Sequence, residues 1–154
     1  MSILSRLFRK RNPSLTKASG VPKTSGELIA DVTDGANLVE GKQTWEFAEA
    51  KRHDLQYMKK CCDAELATMK AAGLVAAPYY FERVAILSRK AKNYGEEIYY
   101  CEEYIRLVEK FYDKEGTEGR ADVRKGPTFR AIVARIPKAR ALFAKSVHNA
   151  QQKR

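Results

Sequence analysis

Four glutamates on one predicted helix are the side chains best spaced for general acid–base chemistry. Two facing carboxyl groups can divide proton donation and proton acceptance between them. Acids on a helix surface rich in lysine and arginine, however, usually form solvated ion pairs. We therefore expect no catalytic residues and predict that the protein is not an enzyme. The four are Glu96, Glu97, Glu102 and Glu103.

The cysteines and histidines are few, and their spacing does not favour a metal site. Cys61 and Cys62 are adjacent, so on a helix their side chains point about 100° apart and do not readily bind one ion. Cys101 makes the number of thiols odd, and His53 and His148 are far apart in sequence. We expect no metal and no cofactor, and thiols that stay reduced inside helices, as is usual in a reducing compartment.

Ser14 and Lys17 have the spacing of a serine nucleophile activated by a lysine. That chemistry requires the serine at the start of a buried helix. Residues 12–26 are instead rich in Pro, Ser, Thr, Lys and Gly, a composition typical of a linker. We attribute the spacing to chance.

The stretch from Pro78 to Tyr112 gives the strongest structural signal. One set of residues recurs at steps of three and four and so forms one helix face, and a second set does the same after a short polar break at 90–95. So short a break predicts two antiparallel, neighbouring amphipathic helices. The first face comprises Phe81, Val84, Ala85 and Ser88, and the second comprises Tyr94, Ile98, Cys101, Ile105, Val108 and Tyr112.

This hairpin resembles a tetratricopeptide (TPR) unit, which carries a large aromatic residue, a Leu-small pair, a turn tyrosine and an Ala-Ile step. The resemblance appears once and covers about a quarter of the chain. It implies a TPR-like helical hairpin used mainly to bind proteins. The residues at the corresponding spacing are Phe81, Val84, Ala85, Tyr94 and Ile98.

The second helix of the hairpin carries an additional apolar stripe, and seven of the eight tyrosines lie between Tyr79 and Tyr112. One interpretation is that a neighbouring helix covers this stripe. The other is an exposed aromatic patch for a partner protein, because tyrosine is favoured at interfaces. The candidate partner-binding residues are Tyr79, Tyr80, Tyr99, Tyr100, Tyr104, Leu107 and Phe111.

The net charge of +10 is unevenly distributed. Residues 1–26 hold six basic and no acidic side chains, residues 27–114 hold thirteen and sixteen, and residues 115–154 hold ten and three. Basic ends suggest contact with a polyanion such as nucleic acid or anionic lipid, although they also promote solubility. The candidate polyanion-binding residues are Arg124, Lys125, Arg130, Arg135, Lys138, Arg140 and Lys145.

The first twelve residues place apolar side chains beside arginines. Leu4, Leu7 and Phe8 could lie on an anionic membrane surface, which would make the protein a peripheral membrane-associated assembly factor. The segment is too short and too charged to span a membrane, and the composition of the first 26 residues also fits a mitochondrial transit peptide. A frayed basic tail or a short helix docked on the body are the other interpretations.

The remaining elements complete a helical fold. We predict a helix over 25–32 followed by a loop, with a small hairpin around Asp34-Gly35 as the alternative. A long helix should begin at an N-cap on Thr44, be anchored by Trp45 and end at Gly73. After a polar loop, Pro137 predicts two short helices or one kinked helix at the end of the chain.

These observations predict an all-α fold of five or six helices. We assign residues 1–26 to a basic arm and linker, 27–150 to one helical domain and 151–154 to a tail. The expected protein is a cytoplasmic, non-enzymatic adaptor or inhibitor that binds a protein partner. A nucleic-acid-binding protein is the alternative, and a peripheral membrane protein is the second alternative. The oligomeric state does not follow from one sequence.

Overall fold

The computed structural model describes residues 13–114 and 116–152. Within these ranges the chain forms a packed bundle of five α-helices with one two-stranded antiparallel sheet, which confirms the predicted all-α class. The elements are α1 (Ser25–Thr33), β1 (Leu38–Val39), β2 (Lys42–Gln43), α2 (Leu55–Ala72), α3 (Pro78–Lys90), α4 (Tyr94–Tyr112), a 3₁₀ helix (Val123–Lys125) and α5 (Pro127–Gln152).

Helix α1 is fixed by its ends rather than by burial, since none of its residues is buried. The Thr24 hydroxyl accepts a hydrogen bond from the Glu27 amide, and the Glu27 carboxylate accepts one from the Thr24 amide, which is a capping box. Asp34 ends the helix in the left-handed conformation. The predicted helix over 25–32 is therefore confirmed.

A small β-hairpin follows α1, but it does not turn at Asp34-Gly35. Leu38 pairs with Gln43 and Val39 with Lys42. The two residues between the strands, Glu40 and Gly41, both have positive φ angles of 53° and 77°, as a tight two-residue hairpin turn requires. The loop that we favoured here was wrong, and the alternative hairpin lies six residues later than predicted.

Helix α2 starts eleven residues after the predicted N-cap. Asp54 caps it by accepting a hydrogen bond from the Tyr57 amide at 2.9 Å. The Thr44 hydroxyl instead donates to the Glu65 carboxylate at 2.9 Å, so Thr44 joins the preceding turns to the side of α2. The predicted start and the anchoring role of Trp45 were wrong, because Trp45 is 71% exposed. The end of α2 at Gly73 is confirmed.

Helices α3 and α4 form the predicted antiparallel hairpin, joined by residues 91–93. Next to this turn, the Ser88 hydroxyl donates to the Glu96 carboxylate at 2.7 Å. Farther along, the Phe81 and Tyr104 rings lie with their centroids 4.5 Å apart. The second contact lies farther from the turn on both helices than the first, which establishes the antiparallel arrangement. The resemblance to a TPR unit stays a prediction.

Helix α5 is one continuous helix of 26 residues with Pro137 inside it, not two short helices. It packs on α4 and α3, and its buried residues are Phe129, Ile132 and Ala139. Pro137 has no amide hydrogen to donate, which costs the helix one hydrogen bond. Burial of apolar side chains on the side of α5 that faces the bundle offsets this cost. The central core combines residues of four helices, namely Met58, Cys61, Phe81, Val84, Tyr104, Val108 and Ile132.

Candidate protein-binding surface

Three of the predicted partner-binding aromatics belong to the core. Tyr104 is fully buried between Phe81 and Phe129, and its hydroxyl donates to the Ala76 carbonyl at 2.8 Å. Tyr80 and Phe111 are 5% and 6% exposed. Their burial within the chain leaves these three side chains almost no exposed area to offer a partner.

The remaining members of the stripe do not form one exposed patch either. Tyr79, Tyr100 and Leu107 are half-buried, and burial raises the pKa of Tyr100 to about 12. Only Tyr99 is largely exposed, at 62%, and its ring stands perpendicular to that of Tyr100 with centroids 5.5 Å apart. The candidate surface on the hairpin is therefore reduced to Tyr99 and the half-buried edges around it.

The glutamates that were considered for catalysis are all engaged by cations. Glu97 is fully buried and accepts hydrogen bonds from Arg89 of α3 at 2.8 Å and from Arg135 of α5 at 2.9 Å. Glu102 pairs with Arg140 at 2.5 Å, and Glu103 pairs with Arg106 at 2.6 Å. Glu96 is held by Lys59 and Ser88.

The ion pairs of Glu96, Glu97 and Glu102 join α4 to other helices, and that of Glu103 lies within α4. Burial opposes ionisation of Glu96, but the hydrogen bonds from Lys59 and Ser88 outweigh it and lower the pKa of this carboxyl group. The Arg106 guanidinium likewise lowers the pKa of Glu103. A general acid needs a raised pKa, so Glu96 and Glu103 have the opposite property.

The seven basic candidates fall into two groups. Arg124 pairs with Glu109 and Asp122, and its guanidinium lies 4.6 Å from the centroid of the Tyr112 ring. Arg135 and Arg140 are the partners of Glu97 and Glu102. Residues with no acidic partner among the described residues and with exposed side chains are Lys125, Arg130, Lys138 and Lys145.

The three thiols are buried in the helical core. Cys61, Cys62 and Cys101 are each no more than 1% exposed, and all are free. Burial raises the pKa of Cys61 and Cys101 to about 12, so these thiols stay protonated and unreactive near neutral pH. In the part of the chain that the structure describes, no three His, Cys, Asp or Glu side chains converge to hold a metal ion.

A different exposed aromatic pair lies between β2 and α2. Trp45 is 71% exposed and Phe47 is 38% exposed. The preceding residue, Thr44, is only 8% exposed and its hydroxyl donates to Glu65, which also accepts the Ala77 amide at 3.0 Å. Sequence reasoning missed this pair because Trp45 was assigned to the first turn of a helix.

None of the helices within 13–114 and 116–152 is both long and apolar enough to cross a bilayer. The segment around Leu4, Leu7 and Phe8, for which a membrane contact, a frayed tail and a short docked helix were alternatives, lies outside the described residues. We found no protein-family model, no curated protein and no solved structure that matches this chain.

Proposed function

We propose that this protein is a non-enzymatic helical module of the cytoplasm that binds another protein, as an adaptor or an inhibitor. The observation that carries the proposal is Trp45, which is exposed two residues before the exposed Phe47 and directly after the buried, hydrogen-bonded Thr44. Tryptophan is the residue type most enriched among interface residues that dominate binding energy.

The hydrogen bonds around Glu65, next to Trp45, favour binding because few groups have to lose conformational freedom when a partner associates. Thr44 and Ala77 are bonded to the two oxygens of Glu65, which joins the turns before α2, α2 itself and the start of α3. A partner that covers Trp45 would immobilise a side chain whose main chain is already held. The entropy lost on association is correspondingly small.

The proposal is tested by Trp45→Ala, with Leu74→Ala as the matched control. Leu74 is 47% exposed and lies after the end of α2, so both substitutions remove an exposed apolar side chain without opening the core. The full-length tagged protein is incubated with native host lysate with and without nuclease, and the recovered partner is purified for calorimetry.

We expect a stoichiometric protein that survives nuclease treatment. Trp45→Ala should weaken its binding by about 30-fold or more, as loss of a dominant interface residue does. Leu74→Ala should change the affinity by less than about threefold. Recovery of no protein after nuclease, or equal affinities for Trp45→Ala and the unmodified chain, would count against the proposal.

Nucleic-acid binding is the second candidate, and the observation that favours it is the group of exposed, acid-free basic residues Lys125, Arg130, Lys138 and Lys145. Four phosphate contacts would make the affinity for a labelled duplex fall about a hundredfold between about 50 and 200 mM salt. An affinity that is unchanged over this range excludes the candidate.

Peripheral membrane association is a third proposal, and it depends on residues 3–11. If it holds, deletion of residues 1–12 should abolish co-sedimentation with anionic vesicles. Retained co-sedimentation would assign any lipid contact to another surface.

A further inference from the structure

The side of α5 that faces the bundle continues past the helices that cover it. Ile132 and Ala139 are fully buried, and Phe143 and Val147 follow at the same three- to four-residue steps on the same side of the helix. Phe143 and Val147 are nevertheless 45% and 41% exposed. The same side of α5 is therefore buried in the first half of the helix and partly exposed in the second half.

The cause is the different lengths of α5 and the hairpin. A methyl group on Gly95 would lie 3.5 Å from the Phe143 ring, so α5 approaches α4 closely at the second residue of α4. Helix α4 begins one residue earlier, at Tyr94, whereas α5 runs on to Gln152. Nine further residues extend α5 by about 14 Å.

This difference in length creates a ledge at the end of the bundle. Its wall is the apolar side of α5 with Phe143 and Val147, and its floor is the turn between α3 and α4. The floor carries Lys90 and Lys92, both exposed and without an acidic partner among the described residues.

The ledge is basic as well as apolar. No acidic residue occurs in α5, so the apolar pair has no negative side chain on its own helix. The nearest acids of α4 are already neutralised, since Glu96 pairs with Lys59 and Glu97 with two arginines. A ligand for this corner must supply both apolar contacts and negative charge.

We propose that this ledge docks an acidic amphipathic helix of a partner protein. The inference deepens the proposed function, on which it rests for the occupant being a protein, and it names a surface separate from Trp45. A helix about 10 Å in diameter can lie against a wall and a floor at once, with anchors at the i, i+3 or i+4, and i+7 positions on the wall. Its acidic flank would then meet Lys90 and Lys92.

Other occupants fit the corner less well. A second copy would bring the acid-free α5 of one chain against that of another, and like charges would face each other. The chain's own first twelve residues carry four basic side chains and no acid, so they would add charge of the same sign. The apolar side of α5 faces the α3–α4 turn, and a flat bilayer cannot enter the concave corner between them.

The test uses the full chain and a panel of synthetic acidic helical peptides about 18 residues long, which share a leucine stripe in different registers. A peptide of identical composition with the stripe scrambled serves as the negative probe. Val147→Glu is the disrupting variant. Ala141→Glu is the matched control, because Ala141 is exposed and lies nine residues from Ile132, which places it on the opposite side of α5.

We expect at least one striped peptide to bind with a Kd below about 100 μM, and Val147→Glu to weaken it at least about tenfold. Ala141→Glu, which adds the same charge, should weaken it less than about threefold. Amide chemical shifts should move around Phe143 and in the α3–α4 turn.

Several results would overturn the proposal. These are binding of no striped peptide above the scrambled one, equal losses for the two variants, preference for anionic vesicles over every peptide, and a dimer in sedimentation that Val147→Glu dissociates. If a native protein partner is lost with Trp45→Ala but kept with Val147→Glu, the proposed function stands and the ledge inference fails.

Discussion

Replacing Glu97 with glutamine should lower the free energy of unfolding by about 3 kcal/mol. Glu97 is the fully buried acid that ties α4 to α3 and α5. The substitution preserves the size of the side chain, so it changes the charge and the hydrogen bonding without creating a cavity. It therefore isolates the electrostatic contribution of this contact to the packing of three helices.

The magnitude follows from the contacts of the two carboxylate oxygens. Oε1 accepts from both Arg89 and Arg135, whereas Oε2 accepts only from the Nε of Arg89 at 2.8 Å. The amide oxygen of glutamine can replace Oε1, but its NH₂ group would then face the Arg89 donor. One hydrogen bond becomes a donor–donor contact, and two guanidinium groups lose their counter-charge.

Breaking a buried ion pair by removing one partner typically costs about 3–5 kcal/mol. The Arg89 and Arg135 side chains are 24% and 18% exposed, so water still reaches part of each cation. Partial solvation lowers the penalty of an unpaired charge, which is why we expect the lower end of this range. The free energies are measured by urea unfolding followed by circular dichroism.

Glu103→Gln is the matched control. Glu103 lies on the same helix and also pairs with an arginine, Arg106, but that arginine is 57% exposed. Exposed pairs contribute little, so this variant should lose less than about 0.5 kcal/mol. If the two variants differ by less than about 1 kcal/mol, Glu97 does not act as a buried structural counter-ion and the reasoning is refuted.

Two further predictions concern α1 and α5. The Lys17 side chain and the Thr24 backbone amide lower the pKa of Glu27 to about 2, so a carboxyl NMR titration should give a midpoint near this value. Protection of the α1 amides from hydrogen exchange should be full above the unfolded pKa of about 4.5 and should be lost as the pH falls towards 2. A midpoint above 4 would contradict the capping box. Pro137→Ala should raise the free energy of unfolding by about 1–3 kcal/mol, because Pro137 is exposed and its replacement restores an amide donor for the Val133 carbonyl. Unchanged or lower stability in urea would show that the helix accommodates proline at this site without cost.

Local sequence determined the elements whose signals are short in range. The apolar steps of α3 and α4 and the short break between them predicted an antiparallel hairpin, because three residues leave no other path for the chain. Gly73 marked the end of α2, and Glu27 lies three residues after its cap, Thr24. Each of these features is decided by residues that are neighbours along the chain.

Tertiary contacts decided the rest. Thr44 is a good N-cap by type, yet its hydroxyl donates to Glu65, twenty-one residues away, and α2 begins at Asp54 instead. Trp45 is consequently on the surface rather than in the core. Periodicity showed that α4 has two apolar stripes, but only the packing of α5 showed that Tyr104 is covered and that Tyr99 is not.

The charged residues show the same division. Sequence established that α5 is basic and acid-free, and that α4 begins with paired glutamates. Only the fold placed Glu97 between arginines of α3 and α5, and only the relative lengths of α4 and α5 left Phe143 and Val147 open. The physical reason is that helix formation depends on neighbours along the chain, whereas burial and ion pairing depend on which surfaces meet in space.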